Sequence, residues 1–262
     1  MKQTYFLIAL VASFAIIGWI LINPSEELNY FSEEVSFLTP DNKMISATWY
    51  TPLKGQTPFK TVILVHEFNG DRHDWDPFIS GFIERGYAAL SYDIRGFGSS
   101  QNVPKSGDFY DVIIKDVEGA VSWLLNNPDV QSDSIGIVGG QLGGTIAYAA
   151  SAYIDEIKVS IVISPAVEID SILLGKGISG GLDDPNVPPL LGEDNFKPHS
   201  ILFQFLDTQR INIQPLIDQA EEPKMVRLYR PESPAVRAAG LSLLHRDLRA
   251  FGDLLRYLDE NL

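Results

Sequence analysis

Polar and apolar positions alternate from Glu34 to Leu38 and again from Met44 to Tyr50, on either side of Pro40-Asp41-Asn42. That pattern predicts an antiparallel hairpin. Thr61-Val62-Ile63-Leu64-Val65 is a continuous β-branched run, as expected of a strand buried on both faces. The next segments predict a helix over Asp76–Arg85, a strand over Tyr87–Tyr92 and a long helix over Asp108–Asn126. A buried strand at Ser134–Val138 and a helix at Gly143–Tyr153 follow. Strands at Val159–Ser164, Ile201–Leu206 and Met225–Tyr229 and one amphipathic helix over Leu241–Leu258 complete the pattern. Repeated strand–helix alternation implies an α/β fold, with a mostly parallel central sheet, an N-terminal antiparallel hairpin and helices on both faces. The Gly- and Pro-rich stretch Glu168–Ser200 has no clear periodicity and reads as a loop or one-helix flap.

The first residues follow a different pattern. Tyr5 to Ile22 runs for eighteen positions without a charge, enough as a helix to span roughly 27 Å. Lys2 precedes it, and Glu26, Glu27, Glu33 and Glu34 follow. The asymmetry favours a cytoplasmic N-terminus and an extracytoplasmic domain. The expected layout is one transmembrane signal-anchor at 1–22, an acidic stalk at 23–31 and a single domain at 32–262. A cleaved signal peptide is the competing reading, but Asn23-Pro24-Ser25-Glu26 offers no small-x-small cleavage site.

Composition narrows the function. Lys and Arg total 20 against 34 Asp and Glu, a formal net charge of -14 over 262 residues. A chain this acidic gains nothing from counterion release, so no nucleic-acid partner is expected. With no cysteine, there is no disulfide framework, thiolate metal site or cysteine nucleophile. The four histidines show no H-E-x-x-H or comparable spacing, and no metal is expected. The carboxylates Glu67, Glu168, Asp183, Asp184 and Asp207 have no spacing that requires a cation. Thr145 stands where a Walker lysine belongs and no G-x-G-x-x-G occurs, so no nucleotide or other cofactor is implied.

Ligands of such sheets bind beyond the C-terminal strand ends. Three of those ends read Val65-His66-Glu67-Phe68-Asn69-Gly70, Tyr92-Asp93-Ile94-Arg95-Gly96-Phe97-Gly98-Ser99 and Gly139-Gly140-Gln141-Leu142-Gly143-Gly144. In this order, with Asp116–Leu124 before the third and Ser164-Pro165 after the next strand, the chain resembles the α/β-hydrolase superfamily. The closest likeness is to compact members of the dienelactone-hydrolase or serine-aminopeptidase-like type.

The resemblance implies a G-x-S-x-G elbow that presents a serine nucleophile. Gly139 and Gly143 match its glycines, but Gln141 stands at the nucleophile position. A carboxamide cannot be deprotonated near neutral pH, so it cannot form an acyl-enzyme. A residue at such a tip is expected to hold positive φ. The acid position matches Asp207. The histidine position falls 32 residues later on Ala239, before Gly240. Phe68 and Leu142 match the residues whose amides form the oxyanion hole. Glu67 replaces the usual glycine of that loop, where its charge would oppose a developing oxyanion.

His66 and His73 join Glu67 as pocket candidates. His73, His199 and His245 are the available displaced bases, with His73 the best placed in sequence. Asp93 and Arg95 match a structural turn of the family. The reading is a membrane-anchored hydrolase-fold pseudoenzyme that binds a small-molecule or protein ligand. The alternatives are an active ester or dienelactone-type hydrolase with a rearranged nucleophile and base, and a structural assembly subunit.

Overall fold

The structure, a computed structural model, describes residues 28–100, 109–165, 200–220, 222–230 and 239–262. The chain begins with β1 (Tyr30–Leu38), β2 (Met44–Pro52) and β3 (Phe59–Val65), then a 3-10 turn over Arg72–Trp75 and α1 (Asp76–Glu84). It continues with β4 (Ala88–Tyr92), α2 (Phe109–Leu125), β5 (Val130–Gly140), α3 (Leu142–Tyr153) and β6 (Ile157–Ile163). The remainder is β7 (Ser200–Leu206), a 3-10 turn at Asp207–Gln209, α4 (Arg210–Gln219), β8 (Lys224–Tyr229), α5 (Leu241–Arg246) and α6 (Leu248–Asn261).

One eight-stranded sheet runs β1-β2-β4-β3-β5-β6-β7-β8. The pairs β1–β2 and β2–β4 are antiparallel, and all later pairs are parallel. The predicted hairpin forms with Leu38 opposite Met44, closed by the Thr39 N–H donating to the Lys43 carbonyl at 2.9 Å. Two apolar layers sandwich the sheet, and successive residues of β3 alternate between them as the strand pleat requires. Ile63 and Val65 pack with Val117, Val121 and Leu124 of α2 and Ile146 of α3. Val62 and Leu64 pack with Phe78 and Phe82 of α1 and Leu254 and Leu258 of α6.

Three elements differ from expectation. The C-terminal amphipathic run is not one helix but α5 and α6, broken at Asp247. The helix α4 had no sequence signal. The strand β5 starts four residues earlier than its apolar core, because Val130 pairs with Phe59. The Asp-x-Arg turn after β4 is structural, as the resemblance implied. Arg95 is fully buried and donates to Asp116 and to Asp41 of the hairpin turn, while Asp93 accepts from Arg72 and Ser99.

The run Tyr5–Ile22 lies outside the described residues, as do the stalk through position 27 and the loop reading of 168–199, with His199, Glu168, Asp183 and Asp184. Tyr30 and Phe31, assigned to the stalk above, belong to β1. Among the described residues no helix is long and apolar enough to cross a membrane.

Candidate functional site

At the C-terminal end of β5 the chain turns sharply into α3, with Gln141 at the tip. Its φ is 48° and ψ −111°, the left-handed region that costs an L-residue about 1–2 kcal/mol. The backbone is pinned on both sides. Gln141 N–H donates to the Ile163 carbonyl at 2.9 Å, and its carbonyl accepts from Thr145 N–H at 3.0 Å. The flanking glycines permit the bend because a Cβ on Gly139 would overlap the Gly143 carbonyl, and one on Gly143 would overlap the Val65 carbonyl. Elbow and β3 therefore touch through backbone.

The Gln141 side chain does not cap its own helix. Its Nε2 donates instead to Glu67 Oε2 at 3.3 Å. The other Glu67 oxygen, Oε1, accepts from the Leu241 N–H at the far end of the chain. One carboxylate thus bridges the loop after β3, the elbow, and the turn that starts α5. Both Glu67 and Gln141 are half-buried. Burial pushes the Glu67 carboxyl up to about 6, against the Leu241 hydrogen bond and with the Asp74 carboxylate adding to the rise.

The turn opposite the elbow meets it at Gly240. An added Cβ there would lie 2.9 Å from Gln141 Cγ and would overlap Glu67 Oε1. Gly240 therefore packs directly against the elbow, one position after Ala239, on which the histidine position was placed. Ala239 instead closes a local loop with Ser242, its N–H donating to Ser242 Oγ at 2.9 Å. No space for an imidazole remains along the Gly240 direction.

The remaining candidates sit around this contact. Asp207 opens the 3-10 turn after β7 and faces Arg230 at 3.7 Å, an exposed pair. Among the described residues it makes no hydrogen bond to Gln141 or Glu67. Phe68 packs its ring against Phe97 at 5.8 Å, and Leu142 is buried in the core at the start of α3. His66 is fully buried. Its Nε2 accepts from Ile94 N–H at 2.9 Å, which leaves Nδ1–H to donate to the Glu67 carbonyl at 2.7 Å. Both ring nitrogens are engaged with backbone groups. His73 is exposed and pairs with Asp76 at 3.1 Å, and exposed His245 lies against Phe78 with ring centroids 4.6 Å apart. Neither histidine bonds a serine or threonine hydroxyl among the described residues. Among those residues, no group of three or more His, Asp or Glu side chains stands ready for a metal ion.

The sequence marked Glu67 as a pocket candidate and as a charge hostile to an oxyanion, but not as a partner of Gln141. The structure makes it the centre of the contact. The available signal was coincidence: Glu67, Gln141 and Ala239-Gly240, the positions that depart from the family's expected pattern, all concern one place in the fold.

Known proteins agree with this architecture. A curated relative, "Thiohydrolase aneE" of Aspergillus aculeatus, is 26% identical over 145 residues, 55% of this chain and 44% of that protein. The chain thus spans less than half the length of that relative. Among solved structures, hypothetical protein PA2218 from Pseudomonas aeruginosa superposes with a TM-score of 0.72 at 15% identity, covering 90% of this chain and 95% of the other. An acetyl xylan esterase from Paenibacillus sp. R4 gives 0.67 at 17% identity, covering 91% and 86%. At these identities the structures speak for the fold. The superfamily reading stands, with a different family within it from the dienelactone-hydrolase or serine-aminopeptidase-like type suggested by the motifs. Residues 34–179, more than half of the chain, match the model described as X-Pro dipeptidyl-peptidase (S15 family), and the chain belongs to that family of α/β-hydrolases.

Proposed function

We propose that this chain uses a hydrolase-fold site without acyl-enzyme chemistry, and that it recognises an ester- or thioester-bearing ligand at the elbow. The observation that carries the reading is Gln141 at the strained tip with Gly240 packed onto it. The hydroxyl is missing, and the room for a base in line with it is filled by Glu67. In a serine hydrolase, loss of nucleophile or base alone costs about a millionfold in turnover. What survives, about a thousand- to ten-thousandfold over water, comes from binding and the oxyanion hole. In this reading Gln141, Asp207 and the 239–240 turn are vestiges of a triad, and Phe68 and Leu142 line what remains of the oxyanion site.

The ligand class comes from the curated relatives, whose names include a thiohydrolase and a polyketide transferase. Those names also favour the second reading, an active hydrolase of acyl compounds with a rearranged centre. His73 and His245 are poor bases for it, since neither bonds a serine or threonine hydroxyl among the described residues. The run Tyr5–Ile22 is proposed to anchor the domain on the extracytoplasmic side of a membrane, as its charge asymmetry suggests.

A fluorophosphonate probe tests the main reading by trapping serine nucleophiles covalently. The purified chain is expected to stay unlabelled, because the carboxamide of Gln141 is no nucleophile for the probe. Stoichiometric labelling of the native chain would overturn the proposal.

A further inference from the structure

Glu67 is more than a plug. Each of its oxygens takes one donor, Leu241 N–H on Oε1 and Gln141 Nε2 on Oε2. A carboxylate offers about four acceptor directions, so two remain. Among the described residues no Lys, Arg or His forms an ion pair with it. The elbow and the Gly240–Leu241 turn bring no titratable group to it. The 3-10 turn brings the like charge of Asp74, and the adjacent His66 has both ring nitrogens bonded to backbone groups. Among the described residues the group is therefore a half-buried carboxylate without a countercharge, held beside the residue at the elbow tip. Gln141 spends one amide hydrogen on it and keeps its own carbonyl oxygen as an acceptor.

We propose that Glu67 is the general base of a direct hydrolysis at this elbow, with Gln141 orienting the attacking water. The proposal rests on the reading that no acyl-enzyme forms here. A water donating to Gln141 Oε1 and to a Glu67 oxygen stands where the serine hydroxyl would have delivered its attack. Glu67 accepts a proton from the water as the water oxygen bonds to the carbonyl carbon of an ester or thioester. The carbonyl π pair moves onto oxygen. When that oxyanion re-forms the double bond, the C–O or C–S bond breaks and the leaving alkoxide or thiolate takes the proton from Glu67. One water is consumed, an acid and an alcohol or thiol are released, and the carboxylate is regenerated. General-base assistance contributes about 10²–10⁴-fold, far short of a complete triad, so turnover is slow.

The test uses the full chain with p-nitrophenyl acetate and S-phenyl thioacetate, followed by steady-state and burst kinetics from pH 4.5 to 8. The expected result is turnover above buffer with no burst. The rate should climb as the carboxyl loses its proton around pH 6 and level off above that. Glu67→Gln should lower the plateau about a hundredfold. Asp74→Asn removes the neighbouring negative charge and should move the midpoint to lower pH while turnover persists, a displacement that a purely structural role for Glu67 would not produce. Absent turnover, an unchanged rate in Glu67→Gln, or an unmoved midpoint in Asp74→Asn would overturn the assignment and leave the elbow without acyl-enzyme chemistry, as proposed. A stoichiometric burst would instead overturn that underlying reading along with this one.

Discussion

Gly240 shows how closely the elbow and the facing turn have adapted to each other. Its φ of 56° lies in the left-handed region, and its Cβ direction points at Glu67 and Gln141. Alanine at this position must strain the backbone and push the carboxylate off at least one of its two donors. Gly240→Ala is expected to lower stability by about 1–3 kcal/mol, read as a lower urea midpoint with an unchanged slope. A midpoint equal to that of the native chain would mean that the turn does not bear on the elbow. The strain at Gln141 follows from the same geometry. The bend demands positive φ whatever residue stands there, and the bonds on Gln141 N–H and carbonyl hold it in place.

At the scale of elements, the helix expected over Leu241–Leu258 breaks although its apolar periodicity continues through the break. Asp247 adopts extended dihedrals (φ −122°, ψ 98°) and its side chain accepts from Arg249 N–H at 3.1 Å. It caps α6 while its own N–H closes α5 on the Leu243 carbonyl at 2.9 Å. Removing the cap in Asp247→Ala should cost about 1 kcal/mol, seen as a thermal midpoint lower by a few degrees. No loss on that substitution would place the break under tertiary control alone. Helix α4 escaped notice for the opposite reason. Pro215 lies within RINIQPLIDQ and reads as a breaker, yet Ile213 and Ile217 bury against Phe203 and Tyr148. The Tyr148 hydroxyl donates to the Leu216 carbonyl at 2.8 Å. Packing outweighs local propensity there.

For the whole molecule, a net charge of -14 beside an eighteen-residue uncharged run suits an acidic domain tethered to a membrane rather than one lying against an anionic surface. If Tyr5–Ile22 spans the bilayer, alkaline carbonate washing should leave the full chain in the membrane pellet and detergent should release it. Recovery in the carbonate supernatant would rule out the anchor.

The alternation of strands and helices was legible in the sequence because it rests on local periodicity, and β-branched runs such as Thr61–Val65 name buried strands by composition. The missing serine was equally plain, since the side chain at position 141 carries no hydroxyl wherever it points. Only the tertiary structure decided what surrounds Gln141. Glu67 and Leu241 are 174 positions apart, and no local rule sets which way a loop carboxylate turns. That direction is chosen by donors brought from the elbow after β5 and from the turn that starts α5.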